Sequence, residues 1–182
     1  TFFTEGYGIF SPIDTSEMSD TLHATLLRQH AIKTIPPGNY SGITYLGNDD
    51  YAVVSDKGSQ EGFFTFHITL TENGEIKRVD NKGFTPLPGA NLDEEAVAYN
   101  PTTHHLYIGN EAPSEIIDYD MERKKVVNST IIEDYRQRSK VNRSIESLTY
   151  DHKRNRLFTI NESPLTGDNG LLLRLKQQTI IR

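Results

Sequence analysis

The chain has 182 residues, of which 35% are hydrophobic and 24% are charged, a composition typical of a globular domain with a core. Its 25 acidic and 19 basic residues give a net charge of −6, which argues against nucleic acid or an anionic membrane as a partner. It has no cysteine for a disulfide, a thiolate metal site or a nucleophile, and no apolar run near the roughly 18 residues that predict a membrane span.

The first predicted elements are strands, preceded by a segment, residues 16–28, that fits either a helix or a strand. Residues 40–59 (YSGITYLGNDDYAVVSDKGS) predict a strand, a tight turn and a second strand, because β-branched and aromatic residues flank the turn-forming cluster GNDD. Two more predicted strands, FFTFHITL and EIKRVD, are separated by a turn containing Asn73 and Gly74, a pair typical of a type I′ hairpin. The unit therefore predicts four antiparallel strands.

The strand–turn–strand pattern is repeated twice further along the chain. Residues 94–113 (EEAVAYNPTTHHLYIGNEAP) align without a gap with residues 145–164 (IESLTYDHKRNRLFTINESP). Six aligned pairs are identical: Glu95 and Glu146, Tyr99 and Tyr150, Leu106 and Leu157, Asn110 and Asn161, Glu111 and Glu162, Pro113 and Pro164. In the first unit Tyr45 and Asp56 take the tyrosine and second-acid positions, and Ser41 replaces the first acid. The acids are therefore a repeated feature of a repeated unit.

A repeat of about fifty residues with about four strands is typical of a β-propeller blade. We therefore expect an all-β chain of roughly three to four blades, part of a six-bladed propeller, with repeat units near residues 40–92, 93–143 and 144–182. Residues 130–140 are a candidate helix, and residues 170–175 (GLLLRL) are predicted to be the third strand of an unfinished blade.

This number of blades is too small for a closed ring, because propellers close with about four to eight blades. The chain could be a fragment of a longer protein, two copies could assemble, or the repeats could form another architecture. The repeats run to the end of the sequence without an atypical capping unit, which favours a fragment. The remaining half of the propeller, or a second copy, is therefore the expected partner.

Several motifs resemble a known family, the phytase-like domain, also described as an esterase-like domain of phytase. Residues 142–148 (NRSIESL) are similar to the family's Asn-Arg-Gly-Phe-Glu-Gly-Leu, and residues 93–98 (DEEAVA) to its Asp-Pro-Glu-Gly-Ile-Ala. Further matches are residues 41–43 (SGI), 55–58 (SDKG), 162–165 (ESPL) and 168–170 (DNG). The resemblance spans residues 40–175. It implies a propeller, usually exported to the periplasm, the cell surface or the medium, with acidic residues in its site.

The repeated acids are the candidate site. The first strand of a propeller blade lines the central channel, so Glu95 and Glu146 are predicted to face a shared opening. Together with Asp56 they form a candidate metal site, and oxygen ligands without His or Cys favour Ca²⁺ or Mg²⁺. Asp56, Glu111 and Glu162 follow the second strand, so we expect them to form a separate layer, cap turns or bind backbone amides.

Two classes of function remain open. The first is a metal-assisted hydrolase of a small phosphoester or other ester, with Glu111 or Glu162 as base and Arg143 bound to the phosphate. The second is a non-catalytic propeller that binds a ligand or a protein, in which the repeated acids link blades. Tyr45, Tyr99 and Tyr150 are expected to pack between blades. The Gly-X-Ser-X-Gly motif of serine esterases is absent from the sequence.

Overall fold

The computed structural model describes residues 2–4, 8–10, 26–27, 31–167 and 175–179. The chain divides into two compact units, Thr1–Ala31 and Ile32–Arg182. In the first unit, strands β1 (Phe2–Thr4) and β2 (Gly8–Phe10) form an antiparallel pair. The predicted element at residues 16–28 lies outside the described residues except for residues 26–27, which are in neither a helix nor a strand.

The second unit consists of three antiparallel sheets in the part of the chain that the structure describes. Blade 1 contains β3 (Tyr40–Gly47), β4 (Asp50–Ser55), β5 (Gly62–Leu70) and β6 (Ile76–Pro86). Blade 2 contains β7 (Glu94–Asn100), β8 (His105–Asn110), β9 (Glu115–Asp120) and β10 (Lys125–Ile131). Blade 3 contains β11 (Ile145–Asp151), β12 (Arg156–Asn161) and β13 (Leu175–Thr179). Strands that follow one another in sequence are neighbours in each sheet, so the predicted all-β fold of propeller blades is confirmed.

Two predicted elements differ in extent from the structure. The helix α1 spans Glu133–Arg138 and is shorter than residues 130–140, because Thr130 and Ile131 pair with β9 as the end of β10. Acidic residues in its first turn and arginines in its last turn complement the helix dipole. The third strand of blade 3 is described at Leu175–Thr179, and residues 170–174 of the predicted strand lie outside the described residues.

The β5–β6 hairpin forms where predicted, but its turn is not type I′. Leu70 pairs with Ile76, so the connection has five residues. Of these residues 71–75, Gly74 alone has a positive φ, of 82°, and its N–H donates to the Thr71 carbonyl at 2.9 Å. A type I′ turn needs two residues with positive φ. In this longer connection Gly74 provides the single positive φ, just before the chain enters β6.

The blades pack face to face through two apolar clusters. Between blades 1 and 2, buried residues include Val54 and Phe63 on one side and Val97 and Ile108 on the other. Each such side chain stabilises the fold by about 1.5–3 kcal/mol through burial.

The cluster between blades 2 and 3 joins residues of both blades with Ile132 and Tyr135 of the α1 region. Gly109 allows the close approach of these blades, because a Cβ atom there would lie 2.8 Å from Ile145 Cγ2. The strand ends that carry the repeated acids are therefore held at fixed junctions between blades.

Candidate functional site

The acid that follows the second strand of blade 1 meets the acids at the start of the first strand of blade 2. Oxygen atoms of Asp56, Asp93 and Glu95 all lie within 4.8 Å of one another, and we call this group the acidic site. Asp56 follows β4, Asp93 precedes β7, and Glu95 lies in β7. Asp56 belongs to blade 1 and the other two acids to the start of blade 2, so the packing of the two blades brings them together. The expectation that Asp56 would lie in a layer separate from Glu95 was therefore wrong.

A lysine lies between two of these acids. Lys57 Nζ is 3.1 Å from Asp56 Oδ2 and 3.0 Å from Asp93 Oδ1. Its hydrogen bonds to Asp93 and Asp56 raise the pKa of Lys57 above its usual range, so the ammonium stays charged. The other oxygen of Asp56, Oδ1, is buried without a hydrogen-bond partner among the described residues. The acidic site thus already binds the ammonium of Lys57, and Asp56 Oδ1 has no hydrogen-bond partner among the described residues.

Glu95 has the most strongly perturbed carboxyl of the acidic site. Burial, followed by the negative charges of Asp56 and Glu146, raises its pKa to about 7. Glu146 is exposed; partial burial and the charge of Glu162 raise its pKa, and Arg143 lowers it. Glu146 is therefore close enough to influence Glu95, but it is not part of the group of three whose oxygens lie within 4.8 Å.

The other predicted site residues lie at the junction between blades 2 and 3. Glu111 is buried and its Oε1 accepts the Ser144 N–H at 2.9 Å, one of the three roles expected for it. Burial raises the pKa of Glu111, and this hydrogen bond opposes the shift. Arg143 Nη1 donates a hydrogen bond to Glu162 Oε1. The catalytic roles of Glu111, Glu162 and Arg143, and the metal-binding roles of Asp56, Glu95 and Glu146, stay predictions.

Sequence reasoning missed Asp93 and Lys57, although both lie in the motifs quoted above. Asp93 directly precedes the strand that carries Glu95, but its φ of 66° places it outside the extended strand, so strand alternation could not predict the direction of its side chain. The sequence held no signal for Lys57 either, because its neighbour Asp93 comes from the next blade.

A buried carboxyl pair lies behind the acidic site. Glu94 is 1% exposed and accepts hydrogen bonds from the Gly62 N–H at 2.8 Å and from Asn91 Nδ2 at 3.1 Å. Burial raises its pKa to about 8, and the neighbouring Glu61 adds to the shift. Glu61 is 4% exposed and accepts a hydrogen bond from Asn110 Nδ2. These side chains connect blades 1 and 2 through a polar network.

A cavity of about 330 Å³ adjoins the acidic site. Lys57, which is bonded to Asp56 and Asp93, lines this cavity together with the buried Glu94, and Phe64 and Phe84 provide apolar walls. A ligand held in this cavity would therefore have an ammonium group and one carboxyl group next to it.

The repeated tyrosines lie at the opposite end of the inner strands and line a second cavity of about 310 Å³. The hydroxyls of Tyr99 and Tyr150 are bonded to His104 and Asn155 in their own turns, at 2.7 Å and 2.8 Å. Both rings also pack against the clusters between blades, as predicted. Tyr45 is instead 52% exposed.

The family comparison agrees with this architecture. The sequence model of the family described as "Phytase-like: Esterase-like activity of phytase" matches residues 35–181. The chain belongs to this phytase-like family. The match includes all three blades and every residue of the acidic site. Comparison with curated protein sequences gives no match.

Solved structures with a similar fold share little sequence with this phytase-like chain. Kuenenia stuttgartiensis hydrazine synthase is 12% identical with a TM-score of 0.44, over 75% of this chain and 32% of that one. The β-propeller domain of Myceliophteria thermophila Cps50 (Swd1) is 11% identical with a TM-score of 0.44, over 71% and 34%. The WD40 repeats of RRP9 are 11% identical with a TM-score of 0.42, over 74% and 34%. The chain spans about a third of the length of these structures.

Proposed function

We propose that this phytase-like chain is a metal-assisted hydrolase of a small phosphoester or other ester, with the divalent cation at the acidic site. The observation that carries the proposal is the convergence of Asp56, Asp93 and Glu95, whose oxygens lie within 4.8 Å of one another. Carboxylate oxygens without His or Cys are the donors that Ca²⁺ and Mg²⁺ prefer.

The residues present fit such an ion. Asp56 Oδ1 is buried and lacks a partner among the described residues, so it has a lone pair to offer. Lys57 already balances part of the negative charge of Asp56 and Asp93, and its ammonium would compete with the ion for their oxygens. When bound, a divalent cation would polarise a phosphoryl or carbonyl oxygen and lower the pKa of water.

The chain's own groups would supply binding and proton transfer. Lys57 and Arg143, with side chains 60% and 52% exposed, are cations that an anionic substrate can reach. The adjoining cavity of about 330 Å³ would hold the rest of the substrate against Phe64 and Phe84. Glu111, whose pKa is raised by burial, or Glu162 would accept the proton from the attacking water.

The experiment is thermal unfolding of metal-stripped protein with and without Ca²⁺ or Mg²⁺, combined with hydrolysis of p-nitrophenyl phosphate and p-nitrophenyl acetate. At a free ion concentration 100 times its dissociation constant, binding to the native state adds about 2.7 kcal/mol to stability. Asp56→Asn should abolish both the stabilisation and the hydrolysis, because it removes the charge of a ligand oxygen.

Glu72→Gln, an acid in the β5–β6 turn, is the matched control and should keep both. Wild-type protein that neither binds the ions nor hydrolyses either ester would contradict the proposal. Ion binding without hydrolysis would support the metal site and contradict the hydrolytic activity.

The second candidate is a non-catalytic propeller that binds a ligand or a protein. Two contacts favour it: Glu111 accepts the Ser144 N–H from the next blade, and Arg143 is paired with Glu162. Under this alternative Glu111→Ala should lower the free energy of unfolding by about 1–2 kcal/mol and change no activity. Denaturant unfolding and the two ester assays on the same variant separate the candidates.

We also propose export to the periplasm, the cell surface or the medium, which rests on the family resemblance. None of the helices that the structure describes has the length and hydrophobicity needed to cross a membrane. Fractionation of the source cells followed by immunodetection tests this proposal, and detection in the cytoplasmic fraction alone would contradict it.

A further inference from the structure

The second cavity, of about 310 Å³, lies where the inner strands of all three blades end. Two equivalent positions of each blade line it, the repeated tyrosine and the residue two places after it. These pairs are Tyr45 and Gly47, Tyr99 and Pro101, and Tyr150 and His152. We call this space the tyrosine cavity. Because β7 contacts both β3 and β11, the three blades form the cavity at junctions within the chain.

Each of the three tyrosines is held by the turn that follows it. Its hydroxyl is bonded to a residue of that turn, which is Asp49 for Tyr45 at 3.5 Å, His104 for Tyr99 at 2.7 Å and Asn155 for Tyr150 at 2.8 Å. All three bonded turn residues have a positive φ, of 62°, 56° and 52° in the same order. The tyrosine and the turn therefore fix each other in every blade. Rings that are already in place lose little side-chain entropy when a ligand packs against them.

The lining of the tyrosine cavity is uncharged apart from any proton on its histidine. Among the described residues that line it, none carries a carboxylate, an ammonium or a guanidinium group. The cavity beside the acidic site differs, because it contains Lys57 and Glu94. An ionic ligand that entered the tyrosine cavity would lose hydration and gain no partner of fixed opposite charge. The lining therefore favours a neutral ligand.

The same lining combines apolar surface with hydrogen-bonding groups. The tyrosine rings, Leu46 and Pro101 supply carbon atoms. The phenol oxygens and the ring nitrogens of His152 supply donors and acceptors. Tyr45, for example, accepts the Asp49 N–H and still has its own O–H to donate. A ring with C–H groups on its faces and hydroxyls on its rim matches both kinds of surface.

We propose that the tyrosine cavity binds a neutral sugar. The tyrosine rings would pack against the C–H groups of the sugar, while the Tyr45 hydroxyl and His152 bond its hydroxyls. The volume is near the lower end of the roughly 300–1,000 Å³ found for ligand cavities, which suits a mono- or disaccharide. The site lies at the opposite end of the inner strands from the acidic site. It would attach the domain to a carbohydrate, and it depends on neither the ion nor hydrolysis.

The test is saturation-transfer-difference NMR of the full chain with glucose, galactose, N-acetylglucosamine, maltose and cellobiose. Titration of the sugar that binds best can be followed by tyrosine fluorescence, because the chain has nine tyrosines and no tryptophan. Wild type should bind at least one of the five sugars. Tyr45→Ala and Tyr150→Ala should each raise the dissociation constant about 5- to 10-fold, because each removes one ring from the cavity.

Two controls separate loss of the site from loss of the fold. Tyr45 is 52% exposed, so Tyr45→Ala should keep the unfolding temperature close to that of wild type. Phe84→Ala removes an aromatic wall of the other cavity and should bind the sugar as wild type does.

Three results would overturn the proposal. The first is a wild type that binds none of the five sugars, and choline bound in their place would identify a cage for cations instead. The second is unchanged affinity in both tyrosine variants. The third is an equal loss of affinity in Phe84→Ala, which would place the sugar in the cavity beside the acidic site.

Discussion

The two junctions between blades place different chemistry at equivalent positions. Between blades 1 and 2, Glu94 pairs with Asn110 and is 1% exposed; between blades 2 and 3, Ile145 pairs with Asn161 and is 0% exposed. The first junction supplies the Gly62 N–H and Asn91 as hydrogen-bond donors to its acid. The second packs its isoleucine against Leu148 and Gly109. The two junctions therefore share the same strand pairing, but one places a carboxyl group and the other an apolar side chain at this position.

The same comparison explains why only one acidic site forms among the described residues. The counterparts of Asp56 and Glu95 in the second junction are Glu111 and Glu146, but the counterpart of Asp93 is Ser144. Ser144 donates its N–H to Glu111 and shares a hydrogen bond with Ser114. At this position of the repeat Asp93 completes a group of three carboxylates, whereas Ser144 adds no acid and donates a hydrogen bond to Glu111.

The largest expected effect comes from placing a carboxyl in the apolar junction. Ile145→Glu should lower the free energy of unfolding by about 4–5 kcal/mol, because Ile145 is fully buried in the apolar cluster between blades 2 and 3. Denaturant unfolding measures the loss. Ile145→Val is the control and should cost about 1 kcal/mol. A loss below 2 kcal/mol for Ile145→Glu would mean that the two junctions are chemically interchangeable.

The next effect is the pH dependence of the polar junction. Because the pKa of Glu94 is raised to about 8, the folded state holds a proton that the unfolded state releases near pH 4.5. The stabilisation is complete below that lower value and is lost as pH rises through about 8, by on the order of 4–5 kcal/mol.

The Glu94→Gln variant tests this assignment, because it stays neutral and keeps an acceptor for the Gly62 N–H. Its stability, measured by urea unfolding between pH 5 and pH 9, should vary less with pH than that of wild type. Equal slopes for the two proteins would show that another group causes the dependence.

A smaller effect is expected from removing the residue that distinguishes the junctions. Asp93→Ser copies Ser144 into the first junction and should remove the Ca²⁺ stabilisation of about 2.7 kcal/mol at 100 times the dissociation constant. Calorimetric titration with Ca²⁺ and thermal unfolding measure it. Asp80→Ser, an acid in β6 outside the acidic site, should respond as wild type does. Full Ca²⁺ affinity in Asp93→Ser would place the ion elsewhere.

The prediction of α1 and of the β5–β6 turn shows the limit of local signals. Residues 130–140 have helical character, but Thr130 and Ile131 extend β10 because they pair with β9. Asn73 and Gly74 mark a turn, yet the register of β5 and β6 makes it five residues long. In both cases pairing with a neighbouring strand overrides the local preference.

The sequence by itself determined the blades, their order and the residues repeated within them, because strand periodicity, turn residues and a repeat of about fifty residues are properties of contiguous segments. Only the tertiary structure decided which acids meet. Asp56 and Lys57 end one blade while Asp93 and Glu95 begin the next, and their contact depends on how two sheets pack.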